Sequence, residues 1–393
     1  MDDGPNRQFC KSIPHPIPLL DRISASRTRT IVVTAVLAFW SLASGCIERT
    51  SPVSDHTPSR CGTEATALTT CPTGQVCTTK GTCAPIEPDC NTSTCAIGPA
   101  SLLVGYAGDL EAWNWEPAPQ SFYHPAGNPR ADVRRKGWAW LTVDQRLAVS
   151  TTETTRGAWR TLMERVPETF AACGDSCPVS DVNVAEILTY ANRRSVADGL
   201  APCYALEGCA PDATGRLQCA SAAFAGPECT GWRLPSEAEW ELLAKAGTDG
   251  CLANGNLDVV ERSTCWDDFA AQTAWYCGSS QVSWDGCDDC GYDWGFNCCG
   301  PHPVGKLPPN PYGLLDVHGN VWELTGSRWD DPWIAAKDPG HDPDPLAAGP
   351  DLVAKGGSYF SRSVALCASM RLRLGDLRPQ EVGFRLVRTI TKK

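Results

Sequence analysis

Gly231–Gly247 reads GWRLPSEAEWELLAKAG, and this stretch carries its own start and stop signals. Ser236 can cap a helix, and Glu239, three residues on, can bond back to the cap and complete a capping box. Trp240, Leu243 and Ala244 then fall on one apolar face, and Gly247 ends the helix. The device recurs upstream. Asn183 can cap a helix running to Arg193, with Glu186 in the bonding-back position and Val184, Ile187, Leu188 and Ala191 at helical spacing. A shorter helix from Arg156 to about Glu164 aligns Trp159, Leu162 and Met163. Between these segments the chain is punctuated by Gly, Pro and Asp, with short β-like runs such as Val382–Arg388. No heptads, phosphate-cradling glycine loop or solenoid period occurs. The pattern predicts an α+β domain with much irregular structure.

What holds such a domain together is suggested by its 22 cysteines. Six lie from Cys61 to Cys95 and fourteen from Cys173 onward. Both sets are even, as a disulfide framework requires, and such frameworks form in oxidising compartments. The N-terminus agrees with export. Lys11, Arg22, Arg27 and Arg29 precede the apolar run IVVTAVLAFW (Ile31–Trp40), and small residues then lead to Cys46. These features describe a secretory signal over residues 1–45, and the apolar run is too short to span a bilayer. Leu42–Cys46 resembles a bacterial lipobox, which implies a diacylglycerol on the Cys46 sulfur and a lipid anchor in a membrane. The outer membrane or cell surface is the expected location.

Residues 46–60 read as a flexible tether, and 61–99 as a Cys-rich segment, a disulfide-stapled spacer with no histidine to suggest zinc. The main domain is expected over 100–393. A net charge of −11 argues against nucleic acid, which is bound through basic patches.

Six phrases occur in a fixed order: TTETTRGAW (Thr151–Trp159), PVSDVNVAEILTYANRRS (Pro178–Ser195), GWRLPSEAEWELLAKAG, AWYCGSS (Ala274–Ser280), HPVGKLPPNPYGLLDVHGNVWELT (His302–Thr325) and KGGSYFS…GFRLVR (Lys355–Arg388). The series resembles the formylglycine-generating enzyme family, also called the sulfatase-modifying factor domain. That resemblance implies an elaborated C-type-lectin-like fold. It also implies a structural Ca²⁺ in the loop Asn310–Glu323, held by the Asp316 and Glu323 side chains and the Gly319 and Val321 carbonyls. Mixed carboxylate and carbonyl oxygens suit that hard cation. A second calcium site of the family needs an asparagine where Trp275 stands, so it is not carried over.

The family's oxidase binds copper through two cysteines after the Gly-Gly-Ser strand and converts a substrate cysteine to formylglycine. Thiolates suit soft Cu(I). Here those positions hold Ser361 and Leu366. Cys367 comes one residue late, and a one-residue slip on a strand reverses the side chain's direction. Copper chemistry is therefore not expected, and Cys367 is expected in a disulfide. Ser358 and Trp322 match positions lining the family's active groove, and read here as a strand hydroxyl and a core residue.

A related class uses histidine-held iron. The mature chain has only His56, His124, His302, His318 and His341, with no facial triad, and His318 reads as a surface turn residue. The acidic stretch Trp284–Gly300, with Cys287 and Cys290, is expected to be stapled by disulfides rather than to bind metal, and Asp330–Pro345 to be a solvated loop. The function expected from these readings is recognition without catalysis, with Trp-rich loops presented to a peptide, a glycan or an envelope protein. A formylglycine-generating or other metal-dependent oxidase is the alternative.

Overall fold

In the computed structural model of the chain, 71–104 and 139–391 are described, leaving out 72–74, 79–81, 87–88, 249, 256, 258–264, 266, 289–297, 330–343 and 348–350. All described residues belong to the compact unit His56–Lys393. The signal segment, Cys46 and the tether lie outside them.

The described chain begins with short strands: β1 (Gln75–Cys77), β2 (Cys83–Pro85), β3 (Asp89–Cys90), β4 (Thr94–Ile97), β5 (Ala100–Val104), β6 (Ala139–Val143) and β7 (Leu147–Ser150). Helices α1 (Arg156–Leu162) and α2 (Val184–Ala197) follow, then β8 (Tyr204–Glu207), β9 (Ala210–Pro211), β10 (Leu217–Gln218), β11 (Ser221–Phe224) and helix α3 (Glu237–Lys245). The chain closes with β12 (Trp322–Arg328), β13 (Leu352–Lys355), β14 (Leu372–Arg373), β15 (Val382–Gly383) and β16 (Val387–Thr389). Strand orders β14-β13-β12-β15 and β16-β7-β4-β3 make the two sheets that matter for the site.

The capping boxes form as the sequence dictates. Asn183 accepts from the Glu186 amide, Ser236 accepts from the Glu239 amide, and each glutamate bonds back to its cap. Helix α2 runs four residues beyond the expected Arg193, while α1 stops at Leu162. The β-like run Val382–Arg388 is not one strand. It splits into β15, parallel to β12, and β16, antiparallel to β7, with Phe384, Arg385 and Leu386 turned into the interior between them.

Helix α3 is buried on every side. Its apolar residues join one core with Ile97, Val149, Tyr312 and Leu314, while Trp159, Tyr190, Trp322 and Phe384 anchor a second. Its charged residues have partners. Arg371 forms a fork on Glu237, with both bonds at 2.9 Å, and Lys355 lies 3.4 Å from Glu237 and 3.3 Å from Glu241. Burial of ions on this scale is tolerable only because they are paired.

The spacer reading does not describe the end of the Cys-rich segment. β4 pairs with β7 in register from Thr94–Ser150 to Ile97–Leu147, and Cys95 is fully buried. Bridges Cys71–Cys83 and Cys90–Cys95 close within that segment, and Cys173–Cys177, Cys203–Cys229, Cys209–Cys219, Cys251–Cys367, Cys265–Cys277 and Cys287–Cys298 within the later set. Cys77 and Cys299 are bonded as well. In the acidic stretch, Cys287 joins Cys298 rather than its C-x-x-C neighbour Cys290, which lies outside the described residues.

Candidate functional site

The motif loop leading into β12 is pinned by unusual backbone. Asp316 (φ 54°) and Asn320 (φ 60°) are left-handed, a conformation that costs energy for residues with a side chain. Gly319 (φ 79°) must be glycine, because a Cβ there would stand 2.1 Å from the Trp275 carbonyl oxygen. Asn320 holds the turn by accepting from the His302 amide at 2.8 Å and donating to its carbonyl at 3.2 Å.

Along β12, alternate side chains leave on opposite faces. Trp322 enters the core, as expected. Glu323 points the other way, where its carboxylate accepts two bonds from Arg385 Nε, at 2.7 and 2.9 Å, one from Arg385 Nη2 and one from Trp240 Nε1 at 2.7 Å. Arg385 is fully buried and also donates to the Leu315 carbonyl at 2.9 Å.

Around this pair stand two more buried carboxylates. Asp316 Oδ2 accepts from the Gly305 amide at 2.6 Å, but Oδ1 has no partner. Glu153, 1% exposed, has no partner on either oxygen. Burial pushes the Glu153 carboxyl well up, and the Asp316 and Glu323 charges push it further, against the pull of Arg385. Asp316 is likewise raised, mainly by burial. Three carboxylates share one guanidinium, and the unpartnered oxygens belong to Glu153 and Asp316. A hard cation fits that deficit. A cavity of about 310 Å³, lined in part by Pro308, Pro309, Pro311 and Leu314, opens onto Asp316. No three His, Cys, Asp or Glu side chains converge in metal-ligating fashion among the described residues, so a cation would also need carbonyls or water. Glu323 is already engaged by Arg385 and Trp240. Glu153 was not a sequence candidate; its signal was its place in the TTETTRGAW motif, but nothing local tied it to Asp316.

His318 is not a surface residue. It is 2% exposed, because its ring bridges two segments: Nδ1 pairs with the Leu366 carbonyl at 2.8 Å and Nε2 accepts from the Ala253 amide at 3.1 Å. Burial drives its pKa down to about 4, while an unfolded histidine titrates near 6.5. The unfolded chain therefore takes up this proton first. The His318 contribution to stability is intact above about pH 6.5 and falls as pH drops toward 4, by on the order of 3 kcal/mol, while the raised Glu153 and Asp316 carboxyls act in the opposite sense. His302, lowered mainly by burial, acts in the same sense as His318. We predict that in chemical denaturation at pH 7 and pH 4.5 His318→Gln, although weaker at pH 7, loses less stability across the interval than the wild type does. An equal loss in both proteins would remove His318 as the cause.

The positions that correspond to the family's copper ligands lie in the loop after β13. Ser361 is half-buried and Leu366 is fully buried in the core. Cys367, the one-late cysteine, is 6% exposed and bonded to Cys251. Ser358 lies beyond the end of β13 rather than on a strand, with both Gly356 and Gly357 in left-handed backbone before it. Its hydroxyl donates to Glu381 Oε2 at 2.6 Å and lies 3.1 Å from the Ser361 hydroxyl. Arg378 pairs with Glu381 and reaches Asp288 at 3.1 Å, and Tyr359 also donates to Asp288. The loop thus offers hydroxyls, carboxylates and a guanidinium, hard groups that do not suit Cu(I). Of the four weak catalytic candidates, Ser358 and Ser361 touch each other, while Trp322 lies in the core and Cys367 is bonded to Cys251.

Seven tryptophans lie among the residues whose surroundings are described, and the others, including those of 113–115 and 330–343, lie outside them. Trp159, Trp232, Trp240, Trp322 and Trp329 are buried, and Trp275 and Trp284 are half-buried. The five buried rings build the interior, where large apolar rings give the greatest gain on burial.

Fold and site together define a disulfide-stapled α+β domain built like those of the sulfatase-modifying factors. The model of the "Sulfatase-modifying factor enzyme 1-like domain" matches residues 123–390, and the chain belongs to that family. The formylglycine-generating enzyme of Thermomonospora curvata is 34% identical over 136 residues, covering 33% of this chain and 39% of that protein. That of Mus musculus is 32% identical over 163 residues, 40% of each. The "Inactive C-alpha-formylglycine-generating enzyme 2" of Bos taurus is 36% identical over 101 residues, 25% of this chain and 28% of that protein. This chain therefore spans about two fifths or less of these relatives' lengths. Among solved structures, Treponema denticola variable protein 1 matches with a TM-score of 0.49 at 21% identity, over 75% of this chain and 94% of that one.

Proposed function

We propose that this is an exported protein, lipid-anchored through Cys46, whose sulfatase-modifying-factor-type domain recognises a partner without carrying out the family's copper-dependent oxidation. One observation carries the reading. Where the family's chemistry needs two thiolates, this chain has the hydroxyl of Ser361 and the buried methyl groups of Leu366, and Cys367 is locked to Cys251. The similarity to relatives named as inactive supports it. The partner is a peptide, glycan or envelope protein met outside the cytoplasm. A Cu(I) titration of the purified protein against a chromophoric chelator tests the reading: no stoichiometric copper should transfer, and tight one-to-one transfer would overturn it. Anchoring is tested separately, since Cys46→Ser should release the protein from the membrane fraction.

A calcium ion is part of the same proposal. Asp316 and Glu153, with the Gly319 and Val321 carbonyls and Glu323 at the border, are the groups that would hold it. It would supply the positive charge that Arg385 alone does not. Ligand at a hundred times its dissociation constant stabilises by about 2.7 kcal/mol. Millimolar Ca²⁺ should therefore raise the melting temperature and EDTA lower it, with the effect gone in Asp316→Asn. A wild-type melt indifferent to Ca²⁺ would remove the ion from the account.

A further inference from the structure

The hairpin of β3 and β4 turns through Asn91, Thr92 and Ser93. Of the eleven asparagines in the sequence, Asn91 alone is followed at the second position by Ser or Thr. N-x-S/T, with x other than Pro, is the acceptor pattern for sugar on an asparagine amide, and it belongs on the surface of an exported protein. Asn91, Thr92 and Ser93 are all exposed, as are Asp89 and Cys90 before them.

The turn is held from both sides. β3 pairs with β4 at Asp89–Ala96 and Cys90–Cys95, and the bridge Cys90–Cys95 closes it. The Cys90 sulfur sits against the motif loop, where a Cβ on Gly313 would stand 2.6 Å from it. The described contacts of the Asn91 side chain fall on its oxygen. Oδ1 accepts from the amides of Ser93 and Thr94, at 2.9 and 2.8 Å, and from their hydroxyls, at 3.3 and 3.2 Å. None of these bonds uses Nδ2, the atom that would carry the sugar. Asp89, two residues earlier, meets Arg146 at 3.6 Å in an exposed pair. Such pairs are weak in water, so a cation of an incoming transferase can take over the Asp89 carboxylate.

We propose that Asn91 is N-glycosylated as the chain leaves the cytoplasm, by a transferase that uses a lipid-linked sugar diphosphate. The inference goes beyond recognition and rests only on the export part of the reading above. In the transfer, Nδ2 attacks the anomeric carbon of the donor sugar. The nitrogen–carbon bond forms, and the bond from that carbon to the diphosphate oxygen breaks. The diphosphate leaves with the electron pair, and Nδ2 gives up one proton, so nothing is oxidised or reduced. β3 is the outer strand of its sheet. Sugar at Asn91 would add bulk beside that edge and hinder its pairing with another chain.

The test uses the full chain isolated from the cells that produce it naturally, digested and mapped by mass spectrometry, with its N-terminus read in the same digest. The peptide carrying Asn91 should be heavier than its sequence by one or more sugar residues, attached at Asn91. Ser93→Ala should lower the occupied fraction by about tenfold or more, while Ser93→Thr, which keeps the hydroxyl, should retain it. Sugar on Thr92, Ser93 or Thr94 in place of Asn91 would overturn the proposal. So would full occupancy in Ser93→Ala, or loss of the sugar in Ser93→Thr. A chain that begins at Cys46 with a bare Asn91 would overturn glycosylation and leave export standing. A chain that keeps residues 1–45 and a bare Asn91 would overturn both.

Discussion

Arg385→Leu should leave the domain largely unfolded under conditions where the wild type is stable. Arg385 is the one cation among Glu153, Asp316 and Glu323 that the described contacts supply, and it is fully buried. Its loss leaves Glu323, among the described contacts, with the Trp240 indole and removes the guanidinium that draws Glu153 down. Removing one partner of a buried ion pair costs about 3–5 kcal/mol, because the other charge stays behind without water. A whole domain is stable by roughly 5–15 kcal/mol, so this is a large fraction. Urea denaturation followed by tryptophan fluorescence reads the effect directly, since Trp240 touches the pair. The double variant Arg385→Leu with Glu323→Leu should be more stable than the single one, because replacing both charges by apolar groups removes the stranded ion. Should the single variant lie within about 1 kcal/mol of wild type, the cluster does not hold the fold together.

The second large effect comes from the Cys251–Cys367 bridge. It joins residues 116 apart, whereas Cys90–Cys95 joins residues 5 apart. In the chain-entropy account, the long closure stabilises by about 5 kcal/mol and the short one by about 2 kcal/mol. Paired alanine substitutions at Cys251 and Cys367 should therefore lower the denaturation midpoint far more than the same change at Cys90 and Cys95. The long bridge also fixes Leu366, whose carbonyl pairs with His318, so its removal loosens the loop beneath Ser361. Equal effects of the two pairs would show that native-state packing, rather than closure of the long loop, sets the contribution.

Much of the fold was legible because its signals are local. Capping boxes at Asn183 and Ser236 need only three residues of context, and both formed. The family's motif order likewise located the loops at Asp316–Glu323 and Ser358–Ser361. What was not legible depends on long-range pairing. Glu153 lies far from Asp316 in sequence, and only the meeting of β7's end with the motif loop brings their charges together. His318 looked like a surface residue because loops usually run in solvent. Here Ala253 and Leu366 supply its two hydrogen-bond partners, and burial follows. Cysteine parity indicated a stapled framework but not its connectivity, as is general for such counts. Among the described tryptophans, Trp159, Trp232, Trp240, Trp322 and Trp329 fill the irregular core, which frequency in loops alone does not foretell.

The absence of the family's copper chemistry is the central claim, and one measurement tests it most directly. The purified chain is incubated in air with copper and a peptide containing Cys-x-Pro-x-Arg, under conditions in which an active relative converts the peptide, and the peptide is weighed by mass spectrometry. With Ser361 and Leu366 at the two ligand positions and Cys367 bonded to Cys251, the peptide's mass should not change by conversion to the aldehyde. Loss of about 18 mass units, the exchange of sulfur for oxygen with departure of two hydrogens, would contradict the account.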